Sequence, residues 1–172
     1  MDYPNTLPLA VAHCCRTLWQ AGFEAYPVGG CVRDLLLART PQDWDICTSA
    51  LPQQVQSLFP HTVPTCIDYG TVTAVLDGQG LEATTFRCED GNRDGRRPDA
   101  VSFVSSLTDD LSRRDFTVNA MALAPDGAVI DPFGGQADLE GRVIRCVGDP
   151  MQRFQEDRLR MFRAIRFAAQ LN

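Results

Sequence analysis

The chain has 172 residues, of which 44% are hydrophobic, enough for one domain with a buried core or for one domain and the start of a second. No apolar run approaches the ~20 residues that span a bilayer, and the N-terminus lacks a basic signal region, so we expect a cytoplasmic protein with no membrane partner. The net charge of −6 is unfavourable for contact with nucleic-acid phosphates, which normally requires a basic surface.

Cysteine and arginine usage add two further expectations. The seven cysteines form no C-x-x-C pair, and their odd number argues against a disulfide framework, so we expect reduced, mostly buried thiols. All 16 basic residues are arginines, a set that suits bidentate contacts to phosphates and bases, although a genomic preference for arginine codons explains the composition equally well. Five of the arginines lie within the last 20 residues: Arg153, Arg158, Arg160, Arg163 and Arg166.

The first part of the chain alternates between helical and strand-like patterns. The predicted elements are a helix over residues 6–21, a strand over Glu24–Val28, a helix over Val32–Ala38 and a strand over Asp43–Cys47. Gly22 is placed to end the first helix, and Gly29-Gly30 separates the first strand from the second helix.

The second part begins with two β-rich runs joined by a turn sequence. The predicted elements are a hairpin of Thr71–Leu76 and Leu81–Phe86 across residues 77–80, a mobile loop over Glu89–Asp99, strands over Ala128–Asp131 and Val143–Val147, and a helix from Met151 to the end. We therefore expect an α+β domain over residues 1–149, followed by the start of a helical domain over residues 150–172. That last helix reaches Asn172 without a cap, which predicts a truncated chain.

Asp43-Trp44-Asp45 is the central chemical feature. On a strand, residues two apart point to the same face with Cα atoms about 6.6 Å apart, so both carboxylates could hold a hard cation. By itself the D-x-D pattern is more often two exposed acids in a turn.

Two other features could join the aspartates. Gly29-Gly30 opens a helix, where free N–H groups attract anions, and Arg33 on its first turn could reach a triphosphate. The spacing fits neither a dinucleotide-binding fingerprint nor a P-loop, and a plain tight turn is the alternative. Glu82 interrupts a β-prone run and alternates with Leu81 and Ala83; it could face the aspartates as a third carboxylate or face water from an edge strand.

Six motifs in this order resemble the head domain of the class II tRNA nucleotidyltransferase and bacterial poly(A) polymerase family, within the DNA polymerase β superfamily. The motifs are Val28–Asp34, Asp43–Asp45, Glu82–Arg87, Arg113–Ala120, Asp131–Gly135 and Glu156–Arg160. The resemblance implies a polymerase-β-like head, with a small mixed or antiparallel sheet and flanking helices, followed by the start of a helical neck.

The resemblance also implies roles for individual residues. Asp43 and Asp45 would ligate Mg²⁺, with Glu82 as a third catalytic acid near the primer 3′-hydroxyl, and Asp115 could accept a hydrogen bond from a ribose hydroxyl. An alternative for this last cluster is a helix start capped by Ser112 or Asp115. The implied nucleotide-binding residues are Gly29, Gly30, Arg33, Arg114, Asp115, Asn119, Asp157, Arg160, Arg163 and Arg166.

Asp157 and Arg160, three apart on the predicted helix, would share one face. A carboxylate accepts and a guanidinium donates, which matches the N4/N3 edge of cytosine and the N6/N1 edge of adenine. Uracil and guanine present the opposite order, so such a pair could select C and A without a template. The competing interpretation is an ordinary surface salt bridge between Glu156 and Arg160.

The resemblance predicts an enzyme that adds C and A, or A alone, to tRNA 3′ ends from CTP and ATP. The 94–99 segment resembles a loop that reshapes the pocket from C to A and favours a member able to add A. A poly(A) polymerase is the alternative within the family; more distant alternatives are a D-x-D nucleotide-sugar glycosyltransferase and an inactive head. Because the grip on tRNA would lie in absent C-terminal domains, we expect this piece to bind nucleotides weakly and add them poorly.

Overall fold

The structure is a computed structural model that describes residues 7–90 and 100–171. Its helices are α1 (Leu9–Gln20), α2 (Gly30–Leu36), α3 (Pro52–Leu58), α4 (Leu107–Ser112), α5 (Gly135–Glu140), α6 (Pro150–Glu156) and α7 (Leu159–Leu171). Its strands are β1 (Ala25–Val28), β2 (Asp45–Thr48), β3 (Thr62–Cys66), β4 (Thr71–Leu76), β5 (Gln79–Thr85), β6 (Arg87–Asp90), β7 (Ala100–Phe103), β8 (Ala122–Leu123) and β9 (Val129–Ile130).

Seven of these strands form one mixed sheet in the order β3-β4-β5-β2-β1-β8-β9. The β2–β5 pair is parallel, whereas the other neighbours in the sheet are antiparallel. Strands β6 and β7 pair separately as a two-stranded antiparallel ribbon. This mixed α+β architecture confirms the predicted fold class.

Both faces of the central strands are buried. One face packs under α1 and α3 through a core that includes Leu18, Ile46 and Val55. The opposite face packs against α4 through a second core that includes Phe86 and Leu111. Because β1 and β2 are covered on both sides, their ends are held rigidly at the edge where the motif residues lie.

A third apolar cluster joins α5 and α7 to the segment that follows α4. Phe116 and Phe167 meet edge to face, with ring centroids 5.8 Å apart, and Val118 and Leu139 are buried beside them. This cluster fixes α7 against the sheet domain and brings the arginines of α7 towards the motif residues.

Several predicted elements are confirmed. The first helix and the hairpin occur as expected, and Asp77 and Gly78 both adopt positive φ, as a two-residue hairpin turn requires. The second helix begins at Gly30, two residues before its predicted start. Five of the seven cysteines are buried, as predicted.

Other predictions were wrong in their boundaries. Strand β2 begins at Asp45, so Asp43 precedes the strand instead of sharing its face. The predicted strand over Val143–Val147 is a single bridge between Cys146 and Phe116, because neighbouring residues lack a continuous partner strand. Glu89 and Asp90 belong to β6 and not to a loop, and the rest of the predicted mobile segment, residues 91–99, lies outside the described residues.

The predicted C-terminal helix is interrupted. Helix α6 ends at Glu156, Asp157 has an extended backbone (φ −145°, ψ 107°), and α7 begins at Leu159. The carboxylate of Asp157 accepts the backbone N–H of Leu159 at 2.9 Å. Asp157 therefore caps the start of α7 and does not extend α6. Asp157 and Arg160 are therefore not three residues apart on one continuous helix.

The Arg113-Arg114-Asp115 cluster follows a helix instead of starting one. Helix α4 ends at Ser112, and its N-cap is Ser106, whose hydroxyl accepts the backbone N–H of Asp109. Ser112 is thus not a cap.

Within the described residues, no helix combines the length and apolarity needed to cross a membrane.

Candidate active site

A cleft of about 700 Å³ lies where the β1–α2 junction, the start of β2, the segment after α4 and helix α7 meet. This volume is in the range of small-molecule sites. Every predicted site residue except Glu82 lines it: Gly29, Gly30, Arg33, Asp43, Asp45, Arg114, Asp115, Asn119, Asp157, Arg160, Arg163 and Arg166. The structure therefore gathers residues that are up to 137 positions apart in the sequence into one site.

Charged side chains of both signs line the cleft, with the arginines slightly in excess. At least seven of the 16 basic residues line it: Arg33, Arg87, Arg113, Arg114, Arg160, Arg163 and Arg166. The carboxylates are Asp34, Asp43, Asp45, Glu89, Asp115 and Asp157. The acidic balance of the whole chain is thus compatible with a local anion site, because a cleft focuses the field of the charges that line it.

The two aspartates of the D-x-D motif lie at the mouth of the cleft. Asp45 is the first residue of β2, paired in register with Val28 on β1 and with Glu82 on β5. Asp43 lies two residues earlier, on the approach to the strand. Pairing with β1 on one side and β5 on the other fixes the backbone at Asp45.

Glu82 lines a second cavity, of about 740 Å³. Leu81 and Ala83 point into the core while Glu82 is exposed, as its alternation predicted. Asp43 and Asp45 line both cavities, so the second cavity adjoins the cleft at the aspartate pair.

The aspartate pair has the chemistry of a divalent-cation ligand set. Burial raises the pKa of Asp45, the cation of Arg114 lowers it, and the neighbouring Asp43 carboxylate raises it again. A bound cation would stabilise the ionised form of Asp45, which desolvation and the Asp43 carboxylate disfavour. No group of three His, Cys, Asp or Glu side chains in the described residues is arranged to hold a metal, but Mg²⁺ characteristically uses one or two carboxylates and completes its shell with phosphate oxygens and water. The two aspartates fit that pattern.

Gly29 occupies a position that only glycine fills easily. Its φ is +83°, and a Cβ atom would lie 3.0 Å from Nη1 of Arg114. The backbone N–H of Gly29 donates to the carbonyl of Met121 at 3.0 Å, which ties the β1–α2 turn to β8. The glycine thus lets Arg114 approach the start of α2.

Arg33 is held in place by several partners. Its Nη1 donates to Oδ1 of Asn119 at 2.6 Å, while Nε and Nη2 both donate to Oδ1 of Asp34, at 3.0 and 2.8 Å. Only 13% of its side chain is exposed. Asn119 therefore contributes to the site by fixing Arg33, as well as by lining the cleft.

A fully buried carboxylate, Asp110, organises the segment that carries Arg114. Its Oδ1 accepts Nε and Nη2 of Arg113 and the backbone N–H of Arg87, and its Oδ2 accepts Nη2 of Arg114 at 3.4 Å. Nε of Arg114 is buried without a hydrogen-bond partner in the part of the chain that the structure describes. An unsatisfied buried donor that lines a polar cleft is a candidate contact for a ligand anion.

Glu89 extends this network to β6. Its Oε1 accepts Nη2 of Arg87 at 2.9 Å and Nη1 of Arg113 at 2.8 Å. The ribbon of β6 and β7 is thereby tied to the residue next to Arg114, so the position of the ribbon and that of the cleft arginine are coupled.

The carboxylate of Asp115 is shared among protein groups. Its Oδ2 accepts Nε of Arg163 at 2.7 Å, and its Oδ1 accepts the backbone N–H of Phe116 and Nδ2 of Asn119. Only 7% of Asp115 is exposed. The predicted contact with a ribose hydroxyl therefore has to share oxygens that already hold Arg163 and Asn119.

Asp157 and Arg160 both line the cleft although the helix between them is broken. Arg160 is 8% exposed; its Nη1 donates to Glu156 and to the carbonyl of Arg153, and its Nη2 donates to the carbonyl of Arg113. The salt bridge to Glu156, predicted as the alternative, is therefore present at 2.8 Å. Nε–H and one Nη2–H of Arg160 make no hydrogen bond to any described residue, so the salt bridge leaves donors for a base.

Sequence reasoning missed several residues that shape the cleft. Asp110 could have been found, because a carboxylate three and four residues before two arginines on a helix is a recognisable pattern. Glu89 and Phe167 carried no such signal for their contacts with Arg113 and Arg33, because those contacts join residues distant in sequence.

Comparisons of the sequence and of the fold with known proteins indicate the same family. The sequence profile of the poly A polymerase head domain matches residues 25–145. A CCA-adding enzyme of Levilactobacillus brevis is 57% identical over 157 residues, which cover 91% of this chain and 40% of that protein.

Solved structures agree. The CCA-adding enzyme of Bacillus stearothermophilus in complex with CTP superposes with a TM-score of 0.83 at 49% identity, over 90% of this chain and 37% of that one. The Thermotoga maritima CCA-adding enzyme complexed with tRNA-CCA gives 0.73 at 29% identity, over 95% of this chain and 38% of that one. The chain thus spans about two fifths of the length of these relatives. Its sequence, its fold and the residues of its cleft place it in the poly A polymerase head domain family, as the motif resemblance predicted.

Proposed function

We propose that this chain is the nucleotidyltransferase head of an enzyme that adds C and A to tRNA 3′ ends from CTP and ATP. In this reaction the 3′-hydroxyl oxygen of the primer bonds to the α-phosphorus of the triphosphate, and pyrophosphate leaves. The observation that carries the proposal is the convergence of the aspartate pair, the triphosphate-binding candidates Arg33 and Arg114, and the base-reading candidates Asp157 and Arg160 on one cleft. The named relatives support the choice of tRNA as the substrate.

Arg33 and Arg114 are suited to the triphosphate. Both guanidiniums are largely shielded from solvent and oriented by carboxylates, so they are preorganised before an anion arrives. The unpartnered Nε of Arg114 offers a donor that no protein group uses within the described residues. Arginine forks match phosphate oxygens in pairs, which adds geometric selectivity to charge.

Asp157 and Arg160 are suited to reading the base. The carboxylate of Asp157 would accept the exocyclic amino group of C or A, and the free donors of Arg160 would bind the adjacent ring nitrogen. Arg160 donates to backbone carbonyls from two different segments, so the plane of its guanidinium is fixed. Uracil or guanine would present an acceptor to the Asp157 carboxylate and a donor to the Arg160 guanidinium, which would leave both side chains without a hydrogen bond to the base. The pair thus favours C and A over U and G without a template.

Asp43 and Asp45 would hold Mg²⁺, which supplies charge stabilisation at the reacting phosphate. Glu82 faces the same aspartates from the second cavity and is the candidate acid beside the primer terminus. The roles of Asp115, Asn119, Arg163 and Arg166 as nucleotide contacts, of Gly29 and Gly30 as the backbone cradle, and of residues 150–172 as the start of a neck domain belong to the same proposal.

A transfer assay tests the proposal. The chain, alone and joined to the C-terminal part of the Levilactobacillus brevis relative, is incubated with tRNA ending at the discriminator base, at C, at CC or at CCA, and with each labelled triphosphate. We expect the joined protein to complete CCA and stop, and the chain alone to add slowly. An Asp43→Ala, Asp45→Ala version of the joined protein is the control for background activity.

The alternatives give different products. Long A tails on primers of any sequence would indicate a poly(A) polymerase. Incorporation of U or G at the rate of C and A, or no incorporation by the joined protein, would contradict the proposal. The family match favours nucleotidyl transfer over a D-x-D glycosyltransferase, which would have no use for the base-reading pair.

A further inference from the structure

One aromatic ring contacts three arginines of the cleft. The guanidinium carbons of Arg33, Arg163 and Arg166 lie 5.2, 5.6 and 4.9 Å from the ring centroid of Phe167. All three distances are within the roughly 6 Å at which an aromatic ring attracts a cation. The ring is 5% exposed and forms part of the cleft wall.

The three cations come from two separate elements. Arg33 lies on α2, whereas Arg163 and Arg166 lie on α7 together with Phe167. Since each lies close to the same centroid, any two of the guanidinium carbons lie within about 11 Å of each other, so three positive charges are gathered around one ring. The ring attracts a cation without using its N–H groups. Arg33 already donates to Asp34 and Asn119, and Nε of Arg163 donates to Asp115, so the ring adds to these contacts without competing with them.

The carboxylates near these arginines do not account for the whole arrangement. Arg33 pairs with Asp34 and Arg163 pairs with Asp115, but Arg166 forms no ion pair with an acidic side chain among the described residues. Arg166 instead makes a cation–π contact with the ring of Phe167. A cation held by a ring keeps its full charge and its donors for an anion, whereas a cation paired with a carboxylate is partly neutralised.

The position of Phe167 is itself fixed by packing. Its ring meets Phe116 edge to face at an interplanar angle of 83°, and Phe116 is buried in the cluster that joins α5 and α7. Phe116 directly follows Asp115, which binds Arg163. The ring is therefore anchored to the same segment that supplies the carboxylate partner of one of its cations.

We propose that Phe167 is a positioning residue that holds Arg33, Arg163 and Arg166 together as a preorganised triphosphate-binding group. The proposal rests on the proposed function, since it assigns the anion to the triphosphate of a bound nucleotide. Phe167 acts through the three guanidiniums and not by contact with the base. Removing the ring leaves Arg166 to be ordered by the ligand and removes one of the contacts that hold Arg33 and Arg163, which keep their carboxylate partners. The cost of ordering Arg166 then weakens binding of the phosphates.

The test compares replacements of similar size with and without an aromatic ring. Phe167→Leu keeps an apolar side chain but removes the ring, and Phe167→Tyr keeps the ring. Phe154→Leu is the matched control, because Phe154 packs against the same apolar cluster and is not part of the cleft wall. The dissociation constants of ATP and of inorganic tripolyphosphate are measured by calorimetry at two salt concentrations, and the melting temperature is recorded for each variant.

We expect Phe167→Leu to raise both dissociation constants by about three- to tenfold and to reduce their salt dependence, whereas Phe167→Tyr and Phe154→Leu stay within about twofold of the original. Equal binding by Phe167→Leu and the original protein would overturn the proposal. So would equal weakening by the Tyr and Leu variants, because that result would assign Phe167 to packing alone.

A second measurement needs no ligand. In NMR spectra of the free protein, the side-chain protons of Arg33, Arg163 and Arg166 should be displaced upfield by the ring current of Phe167, and the displacement should disappear in Phe167→Leu. If the original protein binds neither ATP nor tripolyphosphate, the proposed function fails. The NMR result still decides whether the ring holds the arginines, and unchanged arginine shifts in Phe167→Leu would overturn the proposal independently.

Discussion

Replacing Arg160 by alanine should change which nucleotides bind more than it changes how tightly a nucleotide binds overall. Arg160 lines the cleft and donates to Glu156 and two backbone carbonyls, while its Nε–H and one Nη2–H make no hydrogen bond to any described residue. A bidentate contact to a base edge contributes about 1–3 kcal/mol of discrimination, which corresponds to about a fivefold to 150-fold ratio of dissociation constants. We therefore expect the preference for CTP over UTP to fall by about that factor in Arg160→Ala.

The same substitution should cost stability, because it removes hydrogen bonds that join α6, α7 and the carbonyl of Arg113. A loss of about 1–3 kcal/mol lowers the melting temperature by about 2–10 °C in a protein of this size. Arg153→Ala is the matched control: Arg153 binds the same Glu156 oxygen and the carbonyl of Val147 but does not line the cleft.

The assay is competitive binding of the four ribonucleoside triphosphates, with a melting curve for each variant. Arg153→Ala should lose similar stability and keep the selectivity of the original protein. The base-reading assignment would be refuted if Arg160→Ala kept its preference for C over U, or if Arg153→Ala lost that preference to the same extent.

Three further substitutions test the aspartate pair, the glycine turn and the buried carboxylate. Without metal, Asp45→Asn should raise the melting temperature slightly at pH 7, because desolvation raises the pKa of Asp45 above its ordinary 3.8 and its ionisation then costs the folded state; the gain is small because Asp45 is exposed at the start of β2. The gain should vanish below pH 3.8, where both folded and unfolded carboxyls are protonated; a gain independent of pH would contradict the shift. Both Gly29 and Gly78 have a positive φ, so Gly29→Ala and Gly78→Ala should each lower the free energy of unfolding, measured with denaturant, by at least about 1–2 kcal/mol. Only Gly29→Ala should weaken ATP binding, because its Cβ displaces Arg114 whereas Gly78 faces open space; equal binding by both would exclude this role. Asp110→Asn should lower the free energy of unfolding by about 3–5 kcal/mol, and a loss under 1 kcal/mol would show that the buried carboxylate is dispensable.

The sequence predicted which residues come together better than it predicted the local structure around them. The motif resemblance implied that Arg33, Arg114 and Arg160 bind nucleotide, and all three line one cleft, because each lies in a segment whose residue order is specific to one family. The hairpin across Asp77-Gly78 was also predictable, since those residues favour the positive φ that the turn needs.

Features that depend on tertiary contacts were not predictable. The helical spacing after Met151 is continuous across Asp157, and only the bond from the Leu159 N–H to the Asp157 carboxylate explains why the helix breaks. Val143–Val147 has the composition of a strand, but in the fold its one bridge is to Phe116, because no full strand lies beside it. Such outcomes depend on what the rest of the chain offers as a partner.

Residues that act through others were the hardest to find. Phe167 carries no chemical signal in the sequence, yet its ring lies beside the guanidinium of Arg33 on α2. Glu89 lies in a polar stretch that predicts a loop, but it holds Arg113 from the neighbouring ribbon. Both contacts join segments that are far apart in the sequence.

The central claim is that this cleft selects the base of an incoming nucleotide with protein groups alone. The most direct measurement is the dissociation constant of each of the four triphosphates for the original chain, with Mg²⁺ and without any nucleic acid. We predict that CTP and ATP bind at least about fivefold more tightly than UTP and GTP. Equal dissociation constants for all four, or preference for UTP or GTP, would contradict the account.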